Sequence, residues 1–267
     1  MSKIVVKPNK KEDIPLLLNQ DIDGIIFPIK NLSVETSFFI NIDEVINLKT
    51  PKEKIVLINK IMHNSDLEEL SNVLTKIKIS DISKIMFYDL SVYTLCQKLN
   101  INKELVIYQE HLNRSINSNN FYNKLGINYS YISSDITYEE IKEIKEKTNM
   151  KLFYLVYGRM PLFCSRRYLL SNYFKYINKK YHKGNYYIQN KDTKLSISEE
   201  DNSTIIYSDI VNLVNKQDEL DFIDYKVLDF NNIDSYNILT NFINNNPKYK
   251  EDCFLGFYNT KTIFKVK

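Results

Sequence analysis

Seven short apolar runs pass through the first 160 residues, each followed by a stretch with helical spacing, and few folds accommodate that alternation. The runs are KIVVKP (3–8), GIIFPI (24–29), EKIVLIN (53–59), KIMFYD (84–89), ELVIYQEH (104–111), NYSYISSD (128–135) and KLFYLVYG (151–158). Between them KEDIPLLLNQ (11–20), FFINIDEVINLK (38–49), SDLEELSNVLTKI (65–77), LSVYTLCQKL (90–99), NSNNFYNKLG (117–126) and TYEEIKEIKEKT (137–148) read as helices. Ser65 and Glu68 have capping-box spacing, and Gly126 stands where a helix places its C′ residue. Strands that are apolar throughout belong to parallel sheet covered on both faces. An eighth run, DFIDYKVLDF (221–230), precedes a helix at 232–244. Eight such units predict a TIM-type (β/α)8 barrel in a single domain, residues 1–267, with a doubly wound open sheet as the other architecture allowed.

The pattern breaks between the seventh and eighth runs. GNYYIQ (184–189) and KLSISEEDNSTIIYS (194–208) alternate as a β-hairpin with EEDN as its turn. Residues 159–220 are expected to leave the barrel after the C-terminal end of a strand, on the face where such barrels build their sites. The tail CFLGFYNTKTIFKV reads as a further strand or hairpin.

Charge concentrates in this excursion. The chain has four arginines, Arg114, Arg159, Arg166 and Arg167, and three of them fall within YGRMPLFCSRRYLLSNYFKY (157–176). Lys151 to Lys191 holds nine Lys and Arg and no Asp or Glu, leaving 27 basic and 33 acidic residues elsewhere. A basic segment on an acidic body points to an anionic partner. Arginine binds phosphate or carboxylate through a planar fork that lysine lacks. Tyr154, Tyr157, Tyr168, Tyr173, Tyr176, Tyr181, Tyr186 and Tyr187 interleave with these cations. That mixture suits single-stranded nucleic acid, with bases on rings and cations on phosphates, although about half of the rings are expected to pack the excursion onto the barrel.

Other chemistries are excluded or thinly supported. Five scattered glycines rule out a Gly-rich phosphate loop or dinucleotide fingerprint. Cys96, Cys164 and Cys253 are far apart, so neither a disulfide framework nor a metal site is expected. Among His63, His111 and His182, His111 ends a strand beside Glu110 and is a candidate acid or base, with a hydrogen-bonded rim residue as the plainer role. Cys164 lies next to Arg166 and Arg167, whose charges would lower a thiol pKa, making it a candidate nucleophile; its plainer role is packing. No stretch is apolar enough to span a membrane and the N-terminus has no apolar leader core, so a cytoplasmic location is expected.

The residues from 157 onward carry a resemblance. YGRMPLFCSRRYLLSNYFKY, then GNYYIQ and TKLSISEEDNSTIIYSDIVNLV, then DFIDYKVLDF, resemble the peptidase U-32 (collagenase-like) family. Its members carry hG-x-x-P-L/M and S-x-R-C/S-x-L-S/G-N-Y after a barrel strand, then a hairpin, then a D-x-x-K-I-D strand. QEHLNRSINSNNFYNKLGI and SYISSDITYEEI resemble the family's fifth and sixth strand regions. The resemblance is closest to short Gram-positive members linked to tRNA wobble-uridine hydroxylation. It implies a part in 5-hydroxylation of that uridine with prephenate as a requirement, tRNA rather than DNA as nucleic-acid partner, and a longer paralogue as possible second subunit. In that arrangement this chain could be the catalytically silent half. Peptidase activity is the alternative that the family name carries. Some members hold an iron–sulfur cluster on cysteines in and after the S-x-R-C segment. Here that position is Tyr168 and the next cysteine is Cys253, so no cluster is expected. The site implied is a clasp in which Arg159, Arg166 and Arg167 converge on an RNA phosphate or a dicarboxylate. Tyr157, Tyr168, Tyr173, Ser165 and Asn172 would line it, with Glu110, His111 and Asp135 as polar contacts from neighbouring strand ends.

Overall fold

The computed structural model describes residues 2–109, 112–184, 186–190, 193–200, 203–246 and 253–260. Its strands are β1 (Lys3–Lys7), β2 (Gly24–Pro28), β3 (Glu53–Ile58), β4 (Lys84–Phe87), β5 (Glu104–Tyr108), β6 (Tyr129–Tyr131), β7 (Lys151–Ser165), β8 (Tyr186–Asn190), β9 (Thr193–Glu200), β10 (Ser203–Asn212) and β11 (Tyr225–Asp229). β1 to β7 pair in parallel with their chain neighbours, and β11 pairs in parallel with both β1 and β7. That last contact closes the ring, so the architecture is a TIM-type barrel and the open sheet is excluded. Closure leaves these strands no free edge, and runs such as Ile25-Ile26-Phe27 and Ile55 to Ile58 are buried on both faces, as continuously apolar parallel strands must be.

Helices α1 (Ile14–Leu18), α2 (Ile42–Asn47), α3 (Leu67–Lys78), α4 (Leu90–Lys98), α5 (Ile116–Lys124) and α6 (Tyr138–Lys147) fill the crossovers. α3 buries Leu70, Val73, Leu74 and Ile77, one stripe at helical spacing. α6 starts at a capping box: Thr137 Oγ accepts the Glu140 N–H and the Glu140 carboxylate accepts the Thr137 N–H at 2.8 Å. The box expected at Ser65 and Glu68 does not form. Asp66 accepts the His63 N–H at 2.9 Å and pairs with Lys60, so a 3-10 turn at Asn64–Asp66 precedes the helix. Gly126 does follow α5 with φ +83°. β6 stops at Tyr131, short of the expected 135, because the Ser133 N–H turns away to the Asn113 carbonyl.

The largest difference from the sequence reading is β7. It does not end at 158 but runs 15 residues to Ser165. Its first half pairs with β6 and β11 inside the barrel; its second half pairs antiparallel with β10, at Ile210↔Arg159 and Thr204↔Ser165 among others. β9 and β10 make the expected hairpin, β8 adds a third strand, and α7 (Leu169–Tyr176) packs beside β9. The Glu199 carboxylate caps α7 from outside by accepting the N–H groups of Leu170 and Ser171 and the Ser171 hydroxyl. After β11, α8 (Asn237–Ile243) returns to the barrel. The tail contributes one parallel bridge, Val211↔Phe254, and residues 261–267 of the expected hairpin lie outside the described residues.

The barrel floor, at the first residues of the strands, is closed by charge. Lys84 Nζ lies 2.7 Å from Glu53 and 2.9 Å from Glu104, while Lys3 also pairs with Glu53. The Lys84 ammonium sits 5.2 Å from the Tyr129 ring centroid and 5.3 Å from that of Tyr225.

Candidate functional site

The opposite face gathers polar side chains that most of the sequence motifs did not announce. Lys7 ends β1 and Asp229 ends β11, directly opposite in register. The Lys7 ammonium is buried, 2.7 Å from the Asp229 carboxylate, and donates to the Glu35 carbonyl at 2.9 Å. Glu35, in the loop after β2, holds φ +60°. Asn231, just past β11, donates to the Tyr207 hydroxyl at 2.8 Å and to the Glu35 carbonyl at 3.3 Å. Burial pushes the Glu35 carboxyl above its ordinary value, against the pull of Lys7. Burial, with Glu35 and Asp229 adding to it, also raises the Tyr207 phenol. The arrangement is a buried lysine held between the Asp229 carboxylate and the Glu35 carbonyl, with hydroxyl and thiol groups around it.

Cys164 belongs to this cluster. The sequence places it beside Arg166 and Arg167 and expects a lowered thiol pKa. Instead, although the residue as a whole is exposed, desolvation around the thiol, then the Glu35 carboxylate, push it up to about 12, and Arg166 offsets only part of this. The reactive form of a cysteine is the thiolate. Alkylation of Cys164 by iodoacetamide near pH 8 is therefore expected to run at least about 100-fold slower in the folded chain than in denaturant. Glu35→Gln should accelerate it, since a nearby negative charge is removed. Peptide mass spectrometry reads both rates; labelling as fast as in denaturant would show that the thiol is not restrained.

The arginines do not form one clasp. Arg159 donates to the Ser208 carbonyl at 3.0 Å, inside the β7–β10 ladder. Arg166 donates to the Ile61 carbonyl at 2.9 Å, across the mouth after β3, and its charge helps hold Asp66 below the ordinary carboxylate range. Both sit on one extended strand region whose rise separates them by about 20 Å. Arg167 is exposed, with its carbonyl accepting the Thr204 hydroxyl at 2.7 Å. Arg114 is the arginine that meets the expected Asp135, as an ion pair.

The other expected residues divide in the same way. Tyr157 packs on Phe230 and Phe242, at centroid distances of 5.4 and 6.2 Å, so it belongs to the core side rather than to a pocket. Ser165 accepts the Arg167 N–H at 3.3 Å. Tyr168, Asn172 and Tyr173 are exposed on and before α7. Glu110 and His111 lie outside the described residues. Of the eight tyrosines near the basic segment, Tyr154 is buried, and Tyr181 and Tyr186 pack around Phe174. Tyr168, Tyr173, Tyr176 and Tyr187 point outward, Tyr176 at 85% exposure, among exposed Arg166, Arg167, Lys175, Lys179 and Lys180.

The thiols do not suit an iron–sulfur cluster, which takes four cysteines. Cys96 is buried on α4, Cys164 faces Glu35, and Cys253 lies 3.8 Å from Asn215. Lys7, Glu35, Tyr207, Asp229 and Asn231 escaped the sequence reading. Lys7 and Asp229 carried one usable signal, a charge ending an otherwise apolar strand on the functional face.

Comparison with known proteins gives a consistent picture. The model of peptidase family U32 matches residues 28–220. The tRNA hydroxylation protein P2 of Bacillus subtilis (strain 168) is 26% identical over 161 residues, covering 57% of this chain and 52% of that protein. The chain thus spans about half the length of that curated relative. Among solved structures, a 2,3-dimethylmalate lyase of the PEP mutase/isocitrate lyase superfamily aligns with a TM-score of 0.42 and 7% identity, over 58% of this chain and 66% of its own. Phosphoribosylanthranilate isomerase from Thermotoga maritima aligns at 0.39 with 12% identity, over 58% of this chain and 75% of its own. No described helix is long and apolar enough to cross a membrane.

Proposed function

This chain belongs to peptidase family U32, and we propose that it takes part in tRNA modification, in 5-hydroxylation of the wobble uridine, by binding RNA at the mouth of its barrel. The observation that supports this most is the annex built on β7. Most of a run from Lys151 to Lys191 with nine cations and no carboxylate lies on it, Lys151 itself standing at the barrel floor, and it turns Tyr168, Tyr173, Tyr176 and Tyr187 to solvent. Exposed rings among cations offer stacking to unpaired bases and charge to their phosphates, the combination single-stranded RNA requires. The relative named for tRNA hydroxylation agrees with it. A small carboxylate such as prephenate would meet Arg166, whose guanidinium lies beside Cys164 at the mouth.

Peptide hydrolysis fits less well, because the carboxylate of Glu35 beside the Cys164 thiol disfavours the thiolate that a nucleophile needs. A partner role beside a longer paralogue is favoured by the apolar side chains exposed among the annex tyrosines, Leu162, Phe163 and Ile188.

Mass analysis of tRNA nucleosides from a deletion strain is expected to show loss of the 5-hydroxylated wobble uridine. Purified chain should retain tRNA with a log–log salt slope of about −0.7 per phosphate contacted. Unchanged nucleosides together with salt-independent retention would exclude the reading. Unchanged retention with the modification lost only when the paralogue is destabilised would move the chain to the partner role.

A further inference from the structure

We propose that the cavity over the ends of β6 and β7 receives a single uracil base turned out of an RNA strand, with Arg114 and Asp135 reading its edge; this rests on the RNA reading above. The cavity holds about 330 Å³ and its walls include Leu162 and Phe257. It opens on the C-terminal face of the barrel, where the β5, β6 and β7 connections meet.

Two polar groups there are arranged to take a ligand. Arg114 pairs with Asp135 through one guanidinium nitrogen, yet its side chain stays 47% exposed, so its remaining donors are open to the cavity. Asp135 takes the Ser133 hydroxyl on one oxygen and Arg114 on the other, and each oxygen keeps a further lone pair. Ser134 also lines the cavity, but its hydroxyl is turned into the protein and offers the cavity almost no surface.

The support beneath these groups is rigid. Asn113, fully buried and adjacent to Arg114, donates to Ser130 and to the Tyr131 carbonyl and accepts from Asn119 at 2.9 Å. These bonds tie the loop after β5 to β6, so the Arg114–Asp135 pair is held before any ligand arrives.

The chemistry of the pair selects its guest. A free anion would meet Asp135 and a cation would meet Arg114. A neutral planar group with a carbonyl beside an N–H satisfies both. The uracil edge runs carbonyl, N–H, carbonyl. Arg114 donates to one carbonyl and Asp135 accepts from N3–H. Leu162 and Phe257, each partly exposed, offer apolar contact to the ring faces. From Leu162 the chain leads within a few residues to Arg166 and Arg167, so the strand flanking the base would run onto the basic annex.

The probe is a stem–loop RNA with one loop uridine, titrated with the full chain by fluorescence anisotropy, beside the same RNA carrying N3-methyluridine at that position. Methylation removes the proton that Asp135 accepts, and binding is expected to weaken about tenfold. In Asp135→Asn the difference between the two RNAs should largely disappear, because a carboxamide can donate as well as accept. Equal affinity of the wild-type chain for both RNAs, with the salt slope intact, overturns the base pocket and leaves the RNA reading standing. Binding of neither RNA overturns both. The principal comparison alters the RNA and not the protein, so it does not depend on a variant folding.

Discussion

Gly158→Ala is expected to lose about 3–5 kcal/mol of folding stability, combining a strained backbone with an overpacked contact. Gly158 has φ +140°, a conformation that residues with a Cβ avoid. A methyl group there would stand 2.6 Å from the Asp229 carbonyl oxygen and 3.0 Å from the Asp229 Cβ. Leu155 Cδ1, 3.2 Å away, could swing aside, but the Asp229 carbonyl is backbone and could not. The position is also the seam of the molecule. Tyr157 pairs with Leu228 of β11, and Gly158 pairs with Val211 of β10, so β7 passes here from barrel to annex. Displacing Asp229 would disturb its bond to Lys7 and with it the buried cluster at the mouth. Urea denaturation followed by circular dichroism measures the loss. A change below about 1 kcal/mol would mean that the strands can separate at the seam without cost.

Lys84→Met is expected to cost about 3–5 kcal/mol at neutral pH, the usual penalty for removing one member of a buried ion pair. The Lys84 side chain is 4% exposed and serves both Glu53 and Glu104. Methionine fills similar space and supplies no charge, so Glu104 loses its ion partner and Glu53 keeps only Lys3. The pH dependence has a definite sign. Lys84, Lys3 and the Tyr129 hydroxyl hold Glu53 and Glu104 below their ordinary values, although desolvation opposes this. Their contribution is therefore complete above the ordinary carboxylate range and is lost as pH falls through the lowered values. The Lys84 ammonium is raised by its carboxylate partners, against desolvation. Its contribution is complete below the ordinary lysine value and is lost only as pH rises through the raised one. The variant should thus differ most from the parent between the two ranges and converge with it in acid. Urea midpoints near pH 7 and near pH 3 test this; an equal deficit at both would assign the cost to packing rather than charge.

The fold was largely legible because its signal is repetitive. Eight apolar runs separated by helical stretches specify a parallel sheet covered by helices and favour a barrel over an open sheet, and the β11–β7 contact decides between them by closing the ring. Boundaries were less legible. β7 continues past Gly158 because β10 supplies a new partner far along the chain, and no local pattern announces that pairing. The basic, tyrosine-rich segment was legible, but the relative placement of its arginines was not. Arg159, Arg166 and Arg167 are close in sequence, but an extended strand separates residues where a helix or turn would gather them. Cys164 was read beside its cationic neighbours, whereas its pKa answers first to burial and to Glu35, a residue 129 positions earlier.

The sequence by itself determined the alternation of strand and helix, the place where that alternation breaks, and the basic, tyrosine-rich character of the departing segment. Those properties reside in composition and in periods of a few residues. Tertiary structure alone decided which charges meet: Lys7 with Asp229, Arg114 with Asp135, Lys84 with Glu53 and Glu104. Ring closure brings strand ends together from distant parts of the chain, and the protonation and reach of each group follow from neighbours that only closure supplies.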